Sequence, residues 1–408
     1  MNNTSLKKRN IFILLLVACA LFQVACKKEN STGSPSITGI RAITPDSSIT
    51  SALPGQIVVI QGANLASAMA ISFNGFPATF NSALFSNNNL VVRIPAIGWD
   101  SIPSGKLNTL EVQTAGGAVT YKFTITPPAP NVTSVSDENA LAGQTLTING
   151  TDFYGVAKVT FPGGKEGTNL VSTGTTQMTV TVPDGITSAD SLRLTGTYGT
   201  GASKFVFDNY LSPGTGFLAN FEDGDAHFGW QWWGGIKEKN PSAYPNSTGN
   251  YIRIHPSGAI SGGDGSWYAD NRAVMVAGGA WVSSANLSDP IGSYALKFEI
   301  YVKTPWTNGS LMIAPAGNFN YLARYAPWEK TGTGSFVTSG WQTVTIPLTS
   351  FLSGSGSYNA SGKPAPNVAA LTGGTNSASL QIMLYNDSAT PLAAFDAAVD
   401  NVRIVKVQ

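Results

Sequence analysis

GQIVVIQGANL, running from Gly55 to Leu65, returns 88 residues later as GQTLTINGTDF, from Gly143 to Phe153. The same offset carries Ile71-Ser72-Phe73 onto Val159-Thr160-Phe161, and Val92-Arg93-Ile94-Pro95 onto Val180-Thr181-Val182-Pro183. One offset held through separate segments means two tandem modules of about 88 residues. In each module apolar and polar residues alternate in short runs broken by Gly or Pro. That period of two belongs to strands with one buried face, and the breaks are tight turns in which glycine supplies φ > 0.

The rest of the chain agrees with an all-β reading. Of 408 residues, 42% are hydrophobic and only 12% charged, about half the usual share, with 44 Gly and 23 Pro spread along the length. A formal net charge of +1 lacks the basic footprint that nucleic-acid binding needs, so no nucleic acid is expected as a partner. Beyond residue 213 the strand pattern continues without the repeat. Tyr294, Leu296, Phe298, Ile300 and Val302 alternate with Ala295, Lys297, Glu299, Tyr301 and Lys303, which predicts a half-buried strand. Segments 341–348, 380–385 and 399–405 read as further strands, and no segment has a helical period. The spacing predicts one jelly-roll-like β-sandwich over 213–408, after modules at 36–127 and 129–210.

Both cysteines fall within the first 26 residues, so the body of the chain has no pair to form a disulfide. Lys7, Lys8 and Arg9 precede an apolar run from Ile11 to Ala25, too short to span a bilayer and suited to a signal peptide over 1–25. Ala25-Cys26 resembles a bacterial lipoprotein box, which would make Cys26 the lipidated residue and the anchor to the outer membrane. Leu16-Val17-Ala18-Cys19 also fits a lipobox but would leave an apolar ALFQVA behind the anchor. Lys27-Lys28-Glu29-Asn30 resembles the charged export signal of surface lipoproteins in Bacteroidetes, and favours Cys26. Residues 26–35 read as a tether.

Eight of the nine tryptophans and both histidines lie beyond residue 213. Such an excess suits carbohydrate, because the apolar faces of a pyranose stack on indole and phenol planes while its hydroxyls take hydrogen bonds. In Phe228-Gly229-Trp230-Gln231-Trp232-Trp233, strand geometry sets Trp230 and Trp232 opposite Trp233, so either the pair or Trp233 is the platform. Trp267-Tyr268 follows the Gly-rich run 261–266 and Trp281 follows Gly278-Gly279-Ala280, so all three are expected at the surface. Trp306 ends a strand and joins the candidates. Trp328 and Trp341 are read as structural. The candidate glycan-binding set is therefore Trp232, Trp233, Trp267, Tyr268, Trp281 and Trp306.

The repeated G-x-x-(apolar)-x-(apolar)-x-G-x-(Asn/Asp)-(Leu/Phe) pattern resembles the IPT/TIG immunoglobulin-like family, which implies two Ig-like sandwiches acting as spacers. Asn220-Phe221-Glu222-Asp223-Gly224, Tyr301 to Trp306, Gly340 to Leu348 and Val399 to Ile404 resemble the xyloglucan-binding domain of surface glycan-binding proteins of the B type. That resemblance implies capture of xyloglucan or a related β-glucan at the cell surface. It also implies two partners, a TonB-dependent transporter and a second glycan-binding lipoprotein.

Two alternatives compete. An adhesin or structural surface protein would use the same stalk but leaves the tryptophans unexplained. A β-sandwich glycoside hydrolase would need two carboxylates facing across a cleft. Glu222, Asp223 and Asp225 instead form one acidic turn, and Glu299 reads as surface charge beside Lys297 and Lys303. His227 and His255 have no partner at zinc-ligand spacing, so no enzyme and no cofactor is expected. A structural calcium stays open, should Glu222, Asp223 and Asp225 meet Asp396 or Asp400.

Overall fold

The computed structural model describes residues 33–208, 216–225, 227, 234–315, 319–354 and 361–407. Contacts divide the chain into two compact units, meeting at Pro128 and Ala129.

The first unit is a two-sheet sandwich. Ser36–Ala42, Ile57–Ala63 and Asn89–Arg93 pair in one sheet, and Ala68–Phe73, Thr109–Thr114 and Gly117–Lys122 in the other. The second module, in the second unit, repeats this plan with Thr145–Thr151, Val156–Phe161 and Gln177–Thr181 at the same offset of 88. The offset extends to the core: Val58, Ile60, Leu65, Ile71, Phe73, Leu90 and Val92 are buried, and so are Leu146, Ile148, Phe153, Val159, Phe161, Met178 and Val180. Gly55 and Gly143 share φ 83, while Asn64 and Asp152 take φ 59 and 63. The repeated Gly and Asn/Asp positions thus mark left-handed turns, the conformation those residues adopt most readily.

The remainder of the second unit is a larger sandwich. We number its strands β1 (Phe217–Ala219), β2 (Ile236–Glu238), β3 (Tyr251–Ile254), β4 (Ala273–Val276), β5 (Tyr294–Val302), β6 (Ser310–Pro315), β7 (Tyr321–Tyr325), β8 (Gln342–Pro347), β9 (Leu352–Ser353), β10 (Leu380–Tyr385) and β11 (Ala397–Lys406). Among the described residues one sheet runs β2-β3-β11-β5-β8 with β1 also on β11, and the other runs β4-β10-β6-β7-β9. Leu296, Phe298 and Ile300 of the first sheet meet Val274, Leu311, Ile313 and Ile382 of the second in one core. A short helix, Val368–Thr372, capped by the Asn367 side chain, departs from the expectation of no helix.

The strand predicted to be half-buried is buried on both faces. Lys297 and Glu299 of β5 are 6% and 2% exposed, because the second module covers the polar side of this sheet. Glu138 from that module ion-pairs with Lys297, and its other oxygen lies 3.1 Å from Arg403 of β11. Arg403 in turn holds both oxygens of Glu299, at 2.8 and 3.1 Å. Thr343 joins the two sides: its hydroxyl accepts from the Glu138 N–H at 2.7 Å and donates to Glu299 at 2.9 Å. Glu299 is therefore a buried junction residue, not the surface charge expected of it. Burial pushes its carboxyl up, against the pull of Arg403. Burial and the Glu299 charge push Asp137, next to Glu138, to about 7.

Candidate functional site: the aromatic outer face

Alternate residues of β4, β6, β7 and β10 point away from the core, and on these strands they are mostly apolar. Register aligns Ala273, Met383, Met312 and Arg324 in one row across the sheet, and Met275, Gln381 and Ala314 in the next. Three of the six methionines of the chain stand on this face. Methionine is unbranched and polarizable, and it adapts to the surface laid against it. Leu322 and Tyr385 complete the cluster, and Trp267, Met275 and Phe319 pack on it half-buried.

Trp267, Tyr268 and Phe319 form the outer rim of this cluster. The Trp267 ring lies 5.9 Å from Tyr268 at 83° and 6.0 Å from Phe319 at 42°. Tyr268 is 55% exposed, so its ring is free for a ligand. The Gly-rich loop before Trp267 is pinned rather than loose. Asn386 donates from its side chain to the carbonyls of Ile260 and Ser261, and Asp264 accepts from Arg272 at 2.8 Å. That Arg272 hydrogen bond holds the Asp264 carboxyl below its usual range. A Cβ on Gly262 would lie 2.3 Å from the Ala389 carbonyl, so the loop needs glycine there to pack this closely. Polar groups accompany the rings. Gln381 stands in the middle of the face with its Oε1 buried and unpartnered, and Arg324 is clamped by Glu329 and Asp387.

The sequence candidates separate into three groups. Trp267 and Tyr268 come together at the rim, Tyr268 exposed and Trp267 half-buried. Trp281, expected at the surface, and Trp306, a candidate that could go either way, are core residues at 1% and 0% exposure. Trp281 donates its Nε1–H to the Ala378 carbonyl at 3.0 Å, and Trp306 to the Asn308 carbonyl at 2.7 Å. Trp306 also packs at 90° against Phe395 inside the sandwich. Both are removed from the binding set. Trp230, Trp232, Trp233 and the anchor Cys26 lie outside the described residues. The described neighbours of the tryptophan run meet the edge strand β4: Gly235 donates to the Ala273 carbonyl at 2.6 Å, and the Ala277 N–H donates to the His227 carbonyl at 2.6 Å. Trp341, read as structural, is buried, and Trp328 packs half-buried against the core.

Phe319 and the methionine row escaped the sequence reading. Phe319 has φ 57, a left-handed conformation uncommon for an aromatic residue, which nothing in the local sequence announces. The methionines become a surface only when the register of the strands is known.

The acidic residues considered for calcium or catalysis have other tasks. Asp225 accepts backbone N–H groups of Asn220, Phe221 and His227, and Glu222 accepts that of Asn250. Asp223 pairs with Lys237 at 3.0 Å, and that bond lowers its pKa. Asp396 is held by Arg253 at 2.7 and 3.0 Å and by the Tyr244 hydroxyl, while Asp400 accepts from Thr248 at 2.8 Å. Among the described residues no three His, Cys, Asp or Glu side chains are grouped to hold a metal ion.

Residues 212–406 match the family model of the surface glycan-binding protein B xyloglucan binding domain, and residues 38–126 match that of the IPT/TIG domain. A curated IPT/TIG domain-containing protein of Bacteroides ovatus is 27% identical over 177 residues, 41% of this chain and 36% of its own length. The chain thus spans little more than a third of that relative. A solved surface glycan-binding protein from Prevotella bryantii is 22% identical, with 92% of this chain and 99% of the other covered at a TM-score of 0.67. Another, from a complex xyloglucan utilization locus in Bacteroides uniformis, is 20% identical, with 92% and 100% covered at a TM-score of 0.53. At these identities the two structures share the fold.

Proposed function

We propose that this chain, which joins an IPT/TIG domain to a surface glycan-binding protein B xyloglucan binding domain, captures xyloglucan or a related β-glucan without cleaving it. The observation that carries the reading is the rim of Trp267, Tyr268 and Phe319 on the outer face of the β4-β10-β6-β7-β9 sheet, inside the matched domain. Aromatic planes take the apolar faces of sugar rings, and the methionine bed beneath adjusts to them. Net charge near zero suits a neutral polymer. Cys26 anchors the protein to the outer membrane at the cell surface. There it hands glycan to a TonB-dependent transporter, together with a partner glycan-binding lipoprotein.

Affinity electrophoresis of the full chain in gels containing xyloglucan, mixed-linkage glucan, laminarin or mannan tests the reading. Retardation by xyloglucan or mixed-linkage glucan, with no reducing ends released, is the expected result. Equal mobility in all four gels would refute it. For the anchor, Cys26→Ala should release the protein from membranes while Cys19→Ala should not, and the reverse outcome would move the anchor to Cys19.

A further inference from the structure

A cavity of about 550 Å³ opens between the second module and the C-terminal sandwich, on the sheet opposite the aromatic rim. Its size falls in the range of small-molecule sites. Ser136, Gln144 and Thr147 line it from the module, and Asn246, Trp341 and Gln342 from the sandwich. The lining mixes side-chain amides and hydroxyls with one indole and a few alanines and glycines, and Asp137 is its single ionisable group.

These walls are fixed and carry spare hydrogen-bonding capacity. Trp341 is 7% exposed and held by Tyr244, Tyr251 and Tyr301 at 6.3, 5.6 and 5.9 Å between ring centres. Beside it the Thr343 N–H donates to the Ser136 carbonyl at 3.0 Å, which ties the two walls together. The side chains of Asn246 and Gln342 make no hydrogen bond among the described residues. Gln144 uses its Oε1 on the Leu141 N–H and leaves its NH₂ group unbonded. A void of about 10 Å³, sharing Asp137, Asn246 and Trp341 with the cavity, is also lined by Asn139 and Asn401. Trp341 Nε1, Asn139 Oδ1 and Asn401 Oδ1 are buried without a partner. Asn139 and Asn401 face only the small void, which has room for about one water, whereas Trp341 lines the cavity too, and its unpartnered indole N–H calls for an acceptor beside it.

We infer that this junction cavity is a second saccharide site, which takes a neutral mono- or disaccharide by hydrogen bonding rather than by stacking. An anion would meet Asp137 with no cation in the lining, and an apolar ligand would strand the amides. A sugar brings hydroxyls that donate and accept at once. Asp137, held at about 7 by burial, is partly protonated at neutral pH and so has a proton to donate to one of them.

The test uses ¹H–¹⁵N spectra of the tryptophan indoles in the full chain, with the Trp341 resonance assigned by Trp341→Phe. The background carries Trp267→Ala and Tyr268→Ala, so binding at the rim does not contribute. Glucose, xylose and cellobiose are each added to about 50 mM, ample for a millimolar site. The expected result is a saturable shift of the Trp341 indole with at least one sugar, lost when Gln342→Ala and Asn246→Ala are added. Neither residue makes a side-chain bond, so the other indole resonances should stay in place and report a folded protein. No shift with any of the three sugars would overturn the proposal, and so would a shift that survives Gln342→Ala and Asn246→Ala. Polysaccharide retardation by the rim is measured separately, so failure here leaves that reading standing.

Discussion

Tyr268 stands at a right angle to Trp267 with more than half of its surface in solvent, which leaves it open to the sugar stacking proposed for this rim. Truncating either residue to Ala should weaken glycan binding by at least about 30-fold, since such anchors each contribute roughly 2 kcal/mol or more. Calorimetry at low and high ionic strength should give the same affinity, because stacking on a neutral sugar involves no pair of charges to screen. Trp281→Ala and Trp306→Ala should behave differently. Each empties core volume and strands a carbonyl, so thermal melts should show a loss of about 3–5 kcal/mol. Wild-type melting of either variant would contradict their placement. The sequence distinguished these residues poorly for a physical reason. Glycines beside Trp281 read as a surface loop, yet Gly279 is set by the backbone, with φ 147, and sits where a Cβ would also come within 3.2 Å of the Leu218 side chain. Glycine beside an aromatic marks close packing as readily as exposure.

Strand β5 shows what alternation conveys and what it omits. The period of two correctly assigned Leu296, Phe298 and Ile300 to the core. It says nothing of what covers the other face, and Lys297 and Glu299 look the same under water or under a second domain. Removing Glu138 leaves Lys297 buried without its partner, and Glu138→Ala should cost about 3–5 kcal/mol in denaturant unfolding. The junction should also respond to pH. Asp137 has a folded value of about 7 against an ordinary 3.8, so the native state holds its proton more tightly than the unfolded chain does. That stabilisation is complete below about pH 4 and fades as pH rises through 7. Glu299 and Asp400, pushed up by burial, act in the same direction. Asp137→Asn should therefore raise the melting temperature at pH 8 and flatten its decline from pH 5 to 8. An unchanged slope would remove Asp137 as its source.

At the scale of the molecule, the repeat offset of 88 announced both modules down to their core positions, because the same turn residues and buried alternation recur in each. The coupling of the second module to the sandwich was not legible, since it depends on side chains 159 residues apart, Glu138 and Lys297. A fragment of residues 213–408 would expose Lys297, Glu299 and Arg403 without Glu138. It should melt several degrees below a fragment of residues 129–408, and equal melting would show the junction to be energetically idle. The aromatic face, by contrast, belongs to the sandwich alone. The most direct test of its role is affinity electrophoresis of the full chain and its Trp267→Ala, Tyr268→Ala double variant in xyloglucan gels, with matched melting curves. The parent should be retarded and the double variant should run as in a gel without polysaccharide, both melting alike. A double variant retarded as strongly as the parent would contradict glycan capture at this face.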